Sequence, residues 1–377
     1  MSLLRSFVVA LFVCLAPGLA QANPMLLLDM DSGNVLIEQD AGAPWHPASL
    51  TKLMTAFVTF QAIADGRVSL DTPVIVSKHA WAQAPSKSGL AVGSTLTMQD
   101  ALYVMLVKSA NDIAVAVAET VGGSEPQFVT QMNSTAAKLG LTNTHYVDAN
   151  GLNEDGNVTS ARDLAVLALY IRQLYPQYMP IFGTQAVTLG KANLKSNNNL
   201  LTHFAGTTGM KTGYICASGQ NIVATAERNG HSLMAVVLGS ATVRERGEMT
   251  AEMFLQGFSG SAAGSGKTIL QVANKPGPAT DMRPLLCGKG AKAYMAQRAA
   301  AFTLGLKGQP SYLTDKIQPR VYAATNLGPQ SNIPVPRPRP DGAPAASLPS
   351  VADIAPVGGP SPSISMIGEA PVPHQRP

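Results

Sequence analysis

The chain has 377 residues, 46% of them hydrophobic and 13% charged, enough apolar material for one large buried core with an appendage. Its formal charge of +4 is small, and Lys and Arg are scattered without a basic stripe or interleaved aromatics, which excludes a nucleic-acid surface as the organising feature. His46, His79, His145, His203, His231 and His374 show no paired ligand spacing, so no metal centre and no cofactor are expected.

Residues 1–22 have the marks of a secretory signal: Arg5 is the positive lead, Phe7 to Leu15 a short apolar run, Pro17-Gly18 a breaker, and Ala20-Gln21-Ala22 a small-x-small cleavage site. The apolar run is too short to prefer a membrane span. Cleavage near Ala22 would place the mature chain in the periplasm or cell envelope. It would remove Cys14 and leave Cys216 and Cys287, which read as one disulfide or as two buried free thiols.

Met25–Asp29 and Asn34–Glu38, joined by Asp31-Ser32-Gly33, read as strand, turn and strand. After a loop ending at Pro47, the apolar residues Leu50, Leu53, Met54, Phe57 and Val58 recur at helical spacing, so a buried helix is expected to start at Ser49. Ser49 and Lys52 then share a face, a hydroxyl beside an ammonium. Alone, Ser-x-x-Lys is a common pattern, most often a helix-start serine followed by a solvated lysine.

Val74–Ser77 reads as a short strand, and Thr97 as the cap of a helix to Val107. A polar break at Lys108–Asp112 precedes a second apolar run from Ile113 to Val121, and Ser109 and Asn111 at that break read as ordinary helix caps if taken alone. Phe128–Leu139 is expected to be helical, as is the stretch from Ser160 to about Tyr175. Val187–Leu189 reads as a strand. The stretch Lys211-Thr212-Gly213-Tyr214 with Asn221–Ala226 and Ser232–Leu238 reads as adjacent antiparallel strands, and Thr250–Phe258 as a closing helix.

Strands at both ends with helices between predict an α+β domain over residues 23–260 whose terminal strands share one sheet. Residues 261–325 form an extension of no nameable fold, with a helix over Lys289–Ala301. Its Gly264-Ser265-Gly266-Lys267-Thr268 fails as a phosphate loop, because Ser261 stands where glycine is required. From 326 to 377 proline makes up a quarter of the residues and aromatics vanish. A disordered, locally polyproline-like tail is expected there, a spacer or an arm towards an envelope partner.

Three weak motifs therefore stand in order: Ser49-x-x-Lys52, Ser109-Ala110-Asn111 and Lys211-Thr212-Gly213. With Val107–Asp112, Met132-Asn133, Leu139-Gly140-Leu141, Asn150-Gly151-Leu152, Ser160–Asp163 and Gly209–Tyr214, they make residues 24–258 resemble the penicillin-binding, active-site-serine superfamily. Within it the chain resembles the low-molecular-weight D-alanyl-D-alanine carboxypeptidases. The resemblance implies a β-lactamase/transpeptidase-like domain, an antiparallel sheet flanked by helices. It also implies removal of the terminal D-alanine from peptidoglycan stem pentapeptides through an acyl-enzyme on Ser49, with β-lactams as covalent inhibitors.

By the same resemblance, Lys52 activates Ser49, and Ser109 bridges to Lys52 and passes a proton to the leaving amine. Asn111 holds a substrate amide, Lys211 and Thr212 bind the substrate carboxylate, and Gly213 lets the peptide lie against the strand. The backbone N–H groups of Ser49 and Tyr214 serve as oxyanion donors. Arg246 matches an arginine of carboxylate recognition, with Arg244 as its neighbouring competitor. Chemistry asks for the same arrangement: a serine hydroxyl needs a proton acceptor, and Lys52 serves only when neutral, which apolar walls and the cationic Lys211 would favour.

One departure is Ser196-Asn197-Asn198-Asn199, where some relatives carry arginine. Class A β-lactamases share the three motifs. No Glu-x-x-Leu-Asn stretch lies between Asn111 and Lys211, however, and Glu154 reads as a loop residue, so slow deacylation is expected. A D,D-endopeptidase, a β-lactamase and a non-catalytic peptidoglycan-binding scaffold are the alternatives.

Overall fold

The computed structural model describes residues 23–152, 155–329 and 348–354. The signal segment expected over 1–22, Glu154 and most of the Pro-rich tail lie outside the described residues.

Strand β1 (Met25–Asp29) pairs antiparallel with β2 (Asn34–Gln39), Leu26 opposite Glu38 and Leu27 opposite Ile37. Ser49 does not open an α-helix as expected. It sits in a 3₁₀ turn, Ala48–Thr51, and helix α1 (Lys52–Ala64) begins only at Lys52. Three residues per turn eclipse positions i and i+3, so this turn stacks Ser49 over Lys52 more directly than an α-helix would. Helix α1 is buried on nearly every side, as a helix at the centre of a domain is. Its Phe57 meets Tyr170 and Tyr175 edge-on and Phe60 stacks on Tyr178, each buried ring contributing about 1.5–3 kcal/mol.

The short β3 (Pro73–Ile75) pairs with β4 (Thr95–Thr97), and between them lies helix α2 (Lys78–Trp81). Thr97 caps α3 (Met98–Val107) as expected, accepting from the Asp100 N–H at 3.1 Å. Helix α4 (Asn111–Gly122) has Ala110 at its cap position and no side-chain cap, so neither Ser109 nor Asn111 is a capping residue. Helix α5 (Glu125–Lys138) starts earlier than its apolar pattern indicates, because Ser124 caps it and Pro126 fits its first turn. Ser160 caps α6 (Ala161–Leu174).

After α7 (Met179–Phe182), β5 (Ala186–Leu189), β6 (Ala192–Lys195) and α8 (Leu200–His203), the chain returns to the main sheet. It does so as β7 (Thr207–Ile215), β8 (Gly219–Arg228) and β9 (His231–Ser240). Helix α9 (Val243–Ser259) then packs back on the sheet, with Phe254 stacked on Phe204. The six-stranded order is β10-β2-β1-β9-β8-β7, with β10 (Lys267–Thr268) antiparallel beside β2. The first and last strands of the domain thus share one sheet as expected, and β7, carrying Lys211–Tyr214, is its edge strand.

Residues 261–329 run as a strap over this domain, through α10 (Arg283–Leu286), α11 (Ala291–Ala301) and β11 (Val321–Ala324). No residue of α11 is buried. The strap is fastened at long range: Cys287 to Cys216 by a disulfide, Arg298 to the buried Glu245, and β11 parallel to β5. Tyr322 stacks on Tyr103 and its hydroxyl donates to Asp100 at 2.7 Å. Of the two readings of the cysteines, the disulfide is the one realised, across a separation of 71 residues. A Cys216→Ser/Cys287→Ser variant should lose about 2–4 kcal/mol of stability, measured as a lower Tm that dithiothreitol reproduces in the wild type.

Part of the tail departs from the disorder expected of it. In α12 (Val351–Ile354), Ile354 is fully buried, and Tyr170 and Gln173 of α6 donate to the carbonyls of Pro349 and Ile354 at 2.8 and 2.7 Å. An apolar anchor and satisfied carbonyls offset the ordering cost.

Candidate active site

The 3₁₀ turn, the α3–α4 break and β7 meet around a cavity of about 360 Å³ lined by Ser49, Ser109, Asn111, Thr212, Gly213 and Arg246, among others. Lys52 is fully buried beneath it. Its Nζ donates to Ser49 Oγ (3.0 Å), Asn111 Oδ1 (2.7 Å) and the Asn150 carbonyl (2.7 Å). Three acceptors suit the three protons of an ammonium. A neutral amine keeps two of these bonds and turns its lone pair to the Ser49 hydroxyl proton.

Burial lowers the Lys52 pKa to about 7, and the carboxylates of Asp148 and Asp112 oppose that fall. The depression expected from the neighbouring Lys211 is not among these causes. Lys211 is the one affected: burial first, then Lys52, then Arg246 push it well below the usual lysine range.

The Ser109 hydroxyl does not bridge to Lys52 as expected; it accepts from Lys211 Nζ at 2.8 Å, and Lys211 also donates to the Thr212 carbonyl at 2.8 Å. Ser109 has φ 64°, a left-handed backbone that costs a non-glycine residue about 1–3 kcal/mol and concentrates at working sites. Its neighbours hold it there, Asn111 N–H donating to the Ser86 carbonyl at 2.7 Å and Ser86 Oγ to the Lys108 carbonyl at 3.1 Å. Asn111 is fixed at both ends, its Nδ2 donating to the Ala84 carbonyl at 2.9 Å.

Gly213 is where β7 presses on the serine turn. A Cβ there would lie 2.9 Å from the Pro47 carbonyl oxygen and 3.0 Å from the Ser49 nitrogen, so only glycine allows this approach. Tyr214 is exposed at the mouth, beside the disulfide sulfur of Cys287.

Arg246 lies in the cavity wall, 1% exposed, with Nη1 donating to Gln220 Oε1 (3.2 Å) and Nη2 to the Asn197 carbonyl (2.8 Å). Its Nε has no partner among the described residues, and burial lowers its pKa to about 10. The competitor Arg244 points away, donating to the Leu304 carbonyl and lying 5.5 Å from the centre of the Phe302 ring. The asparagine stretch that departs from some relatives therefore still serves the site, through a backbone carbonyl. Among the described residues, Lys52, Lys211 and Arg246 make no ion pair within hydrogen-bond distance, and three basic side chains therefore converge on one wall of the cavity.

Sequence reasoning missed the Asn150 carbonyl, Asp148, Asp112 and Gln220. A carbonyl has no side-chain signature, and Gln220 enters only through its register opposite Tyr214.

Solved structures of the same class share this fold. Penicillin-binding protein 5 of Haemophilus influenzae is 30% identical with TM-score 0.60, covering 63% of this chain and 71% of that one. Penicillin-binding protein D2 of Listeria monocytogenes in its cefotaxime-bound form is 31% identical with TM-score 0.58, covering 63% and 97%. The fold is that of the penicillin-binding, transpeptidase-like proteins.

Within that class the chain belongs to the D-alanyl-D-alanine carboxypeptidase family, peptidase S11, whose family model matches residues 15–242. It is similar to the D-alanyl-D-alanine carboxypeptidases DacC of Escherichia coli K12 (35% identity over 244 residues, 63% of this chain) and DacF of Bacillus subtilis 168 (32% over 244, 63%). The matches span 61% and 62% of those relatives' own length.

Proposed function

We propose that the protein is an exported serine D,D-carboxypeptidase that removes the terminal D-alanine from peptidoglycan stem pentapeptides, with residues 23–260 as its catalytic unit and 261–325 as a fastened extension. The observation that carries this reading is the contact of Ser49 Oγ with a buried Lys52 whose pKa lies near neutrality. Neutral Lys52 takes the hydroxyl proton as Ser49 Oγ attacks the carbonyl between the two D-alanines. The backbone N–H groups of Ser49 and Tyr214 receive the oxyanion. Lys52 then returns the proton to the leaving amine as the C–N bond breaks and D-alanine departs, with Ser109, held by Lys211 Nζ, at the side of the site. Water then hydrolyses the ester. A β-lactam carbonyl would acylate the same oxygen; the similar Listeria protein has been solved in a cefotaxime-bound form.

The Arg246 guanidinium and the Lys211 amine beyond it suit the substrate's terminal carboxylate, with Thr212 beside them; Asn111 is placed for a substrate amide. Arg246→Ala should lower kcat/KM for a pentapeptide about 10- to 100-fold, the worth of a charge-assisted hydrogen bond. A substrate ending in an amide should be far less sensitive to that change.

The deciding assay offers a defined pentapeptide and a cross-linked stem-peptide dimer. Free D-alanine from the first with little cleavage of the second supports the proposal. Dominant dimer cleavage makes the protein an endopeptidase, and neither product makes it a scaffold.

A further inference from the structure

The segment 148–151 contributes to the site through a main-chain atom, the Asn150 carbonyl that accepts from Lys52 Nζ. What grips the segment therefore decides where that acceptor lies. Asp148, partly buried, accepts through Oδ1 from the N–H groups of Asn150 (3.0 Å) and Gly151 (2.5 Å), and through Oδ2 from Asn157 Nδ2 (2.9 Å). Asn157 is itself buried and accepts from the Val147 N–H at 3.0 Å. Thr55, one turn after Lys52 on α1, donates to the Ala149 carbonyl at 2.7 Å. Gly151 has φ 85°, and a Cβ there would lie 1.9 Å from the Ala48 carbonyl oxygen, so the segment is pressed onto the turn that carries Ser49.

We infer that Asp148 is a positioning residue for the reaction: it aims the Asn150 carbonyl at Lys52 Nζ and sets a carboxylate close to that buried amine. The inference rests on reading Ser49 and Lys52 as nucleophile and base. The charged groups facing Lys52 are Asp148 from this segment, Asp112 from α4 and Lys211 from β7, with Arg246 beyond Lys211. Asp112 accepts from Ser88 N–H, Ser88 Oγ and Ile113 N–H, and so ties the start of α4 to the segment at Ser88 and not to the Asn150 segment. Of the two carboxylates, Asp148 acts the more strongly on Lys52. A base must accept the Ser49 proton and then surrender it to the leaving amine, which works best with a proton affinity matched to the operating pH. Burial lowers the proton affinity of Lys52, and the Asp148 carboxylate opposes that fall.

The test is the pH dependence of acylation by a fluorescent penicillin in the full chain. Asp148→Asn and Asp148→Thr keep an acceptor for the loop N–H groups and remove the charge. Their acid limb should move down by roughly half to one pH unit, whatever happens to the plateau. Asp148→Glu, which restores the charge, should return the midpoint towards wild type. Unmoved midpoints in both neutral variants overturn the inference and leave a structural role, as does failure of both to fold, judged by Tm. Ser49→Ala is the control. If it labels as the wild type does, the underlying reading falls and takes this inference with it, whereas a Ser49-dependent label with unmoved midpoints overturns the inference alone.

Discussion

Ser49→Ala abolishes covalent labelling by a reporter penicillin and D-alanine release together, a fall on the order of 10⁵- to 10⁶-fold in turnover if the serine acts as a unit with its base. The oxygen removed is the only atom in the proposed scheme that forms a bond to substrate, and the alanine side chain fits where the serine stood without disturbing the 3₁₀ turn. Tm should stay within a degree or two of the wild type. Gel fluorescence with the two proteins at matched concentration reads the labelling, and equal labelling of both would remove Ser49 from the chemistry.

The second large effect is at Lys52. Lys52→Ala should slow acylation by about 10²- to 10⁴-fold, the usual worth of a positioned general base. Lys52→Arg is the sharper variant, because a guanidinium stays charged at all working pH values. If Lys52 served only as a cation, arginine would restore activity; as a base, it cannot. The pH sign follows from the same group. With Lys52 titrating at about 7, the reactive neutral form predominates above that pH, and below it the acylation rate should fall tenfold per pH unit. A rate with no ionisation below about pH 10 would show that burial has not depressed the amine.

The β-lactam adduct is also expected to persist. Among the described residues lining the cavity there is no carboxylate to activate a hydrolytic water. Rapid penicillin turnover would rank the β-lactamase reading above the peptidase one.

Much of the site was legible before folding was considered, because its chemistry resides in side chains at fixed local spacings. Ser49 and Lys52 lie one turn apart, Ser109 and Asn111 flank one residue, and Lys211 to Gly213 are contiguous. The architecture was legible for a similar reason: the apolar periods of α1, α3 and α6 and the alternation of β8 and β9 report which faces are buried. The reading failed where local pattern and tertiary contact disagreed. Ser109 reads as a cap and is instead a strained left-handed residue held by Lys211, while the tail reads as disordered and yet buries Ile354 against α6.

The sequence by itself determined the order of the reactive groups, the α+β class and the family, since each depends on residue types at short range. Only the tertiary structure decided which groups touch: that Lys52 bonds to Ser49, Asn111 and a carbonyl and not to Ser109, that Arg246 and not Arg244 faces the cavity, and that the extension is strapped down by Cys287 and Arg298. The physical reason is that pKa and hydrogen-bond partnership depend on burial and on neighbours remote in the chain, and Asp148 acts on Lys52 across 96 positions of it, from 52 to 148.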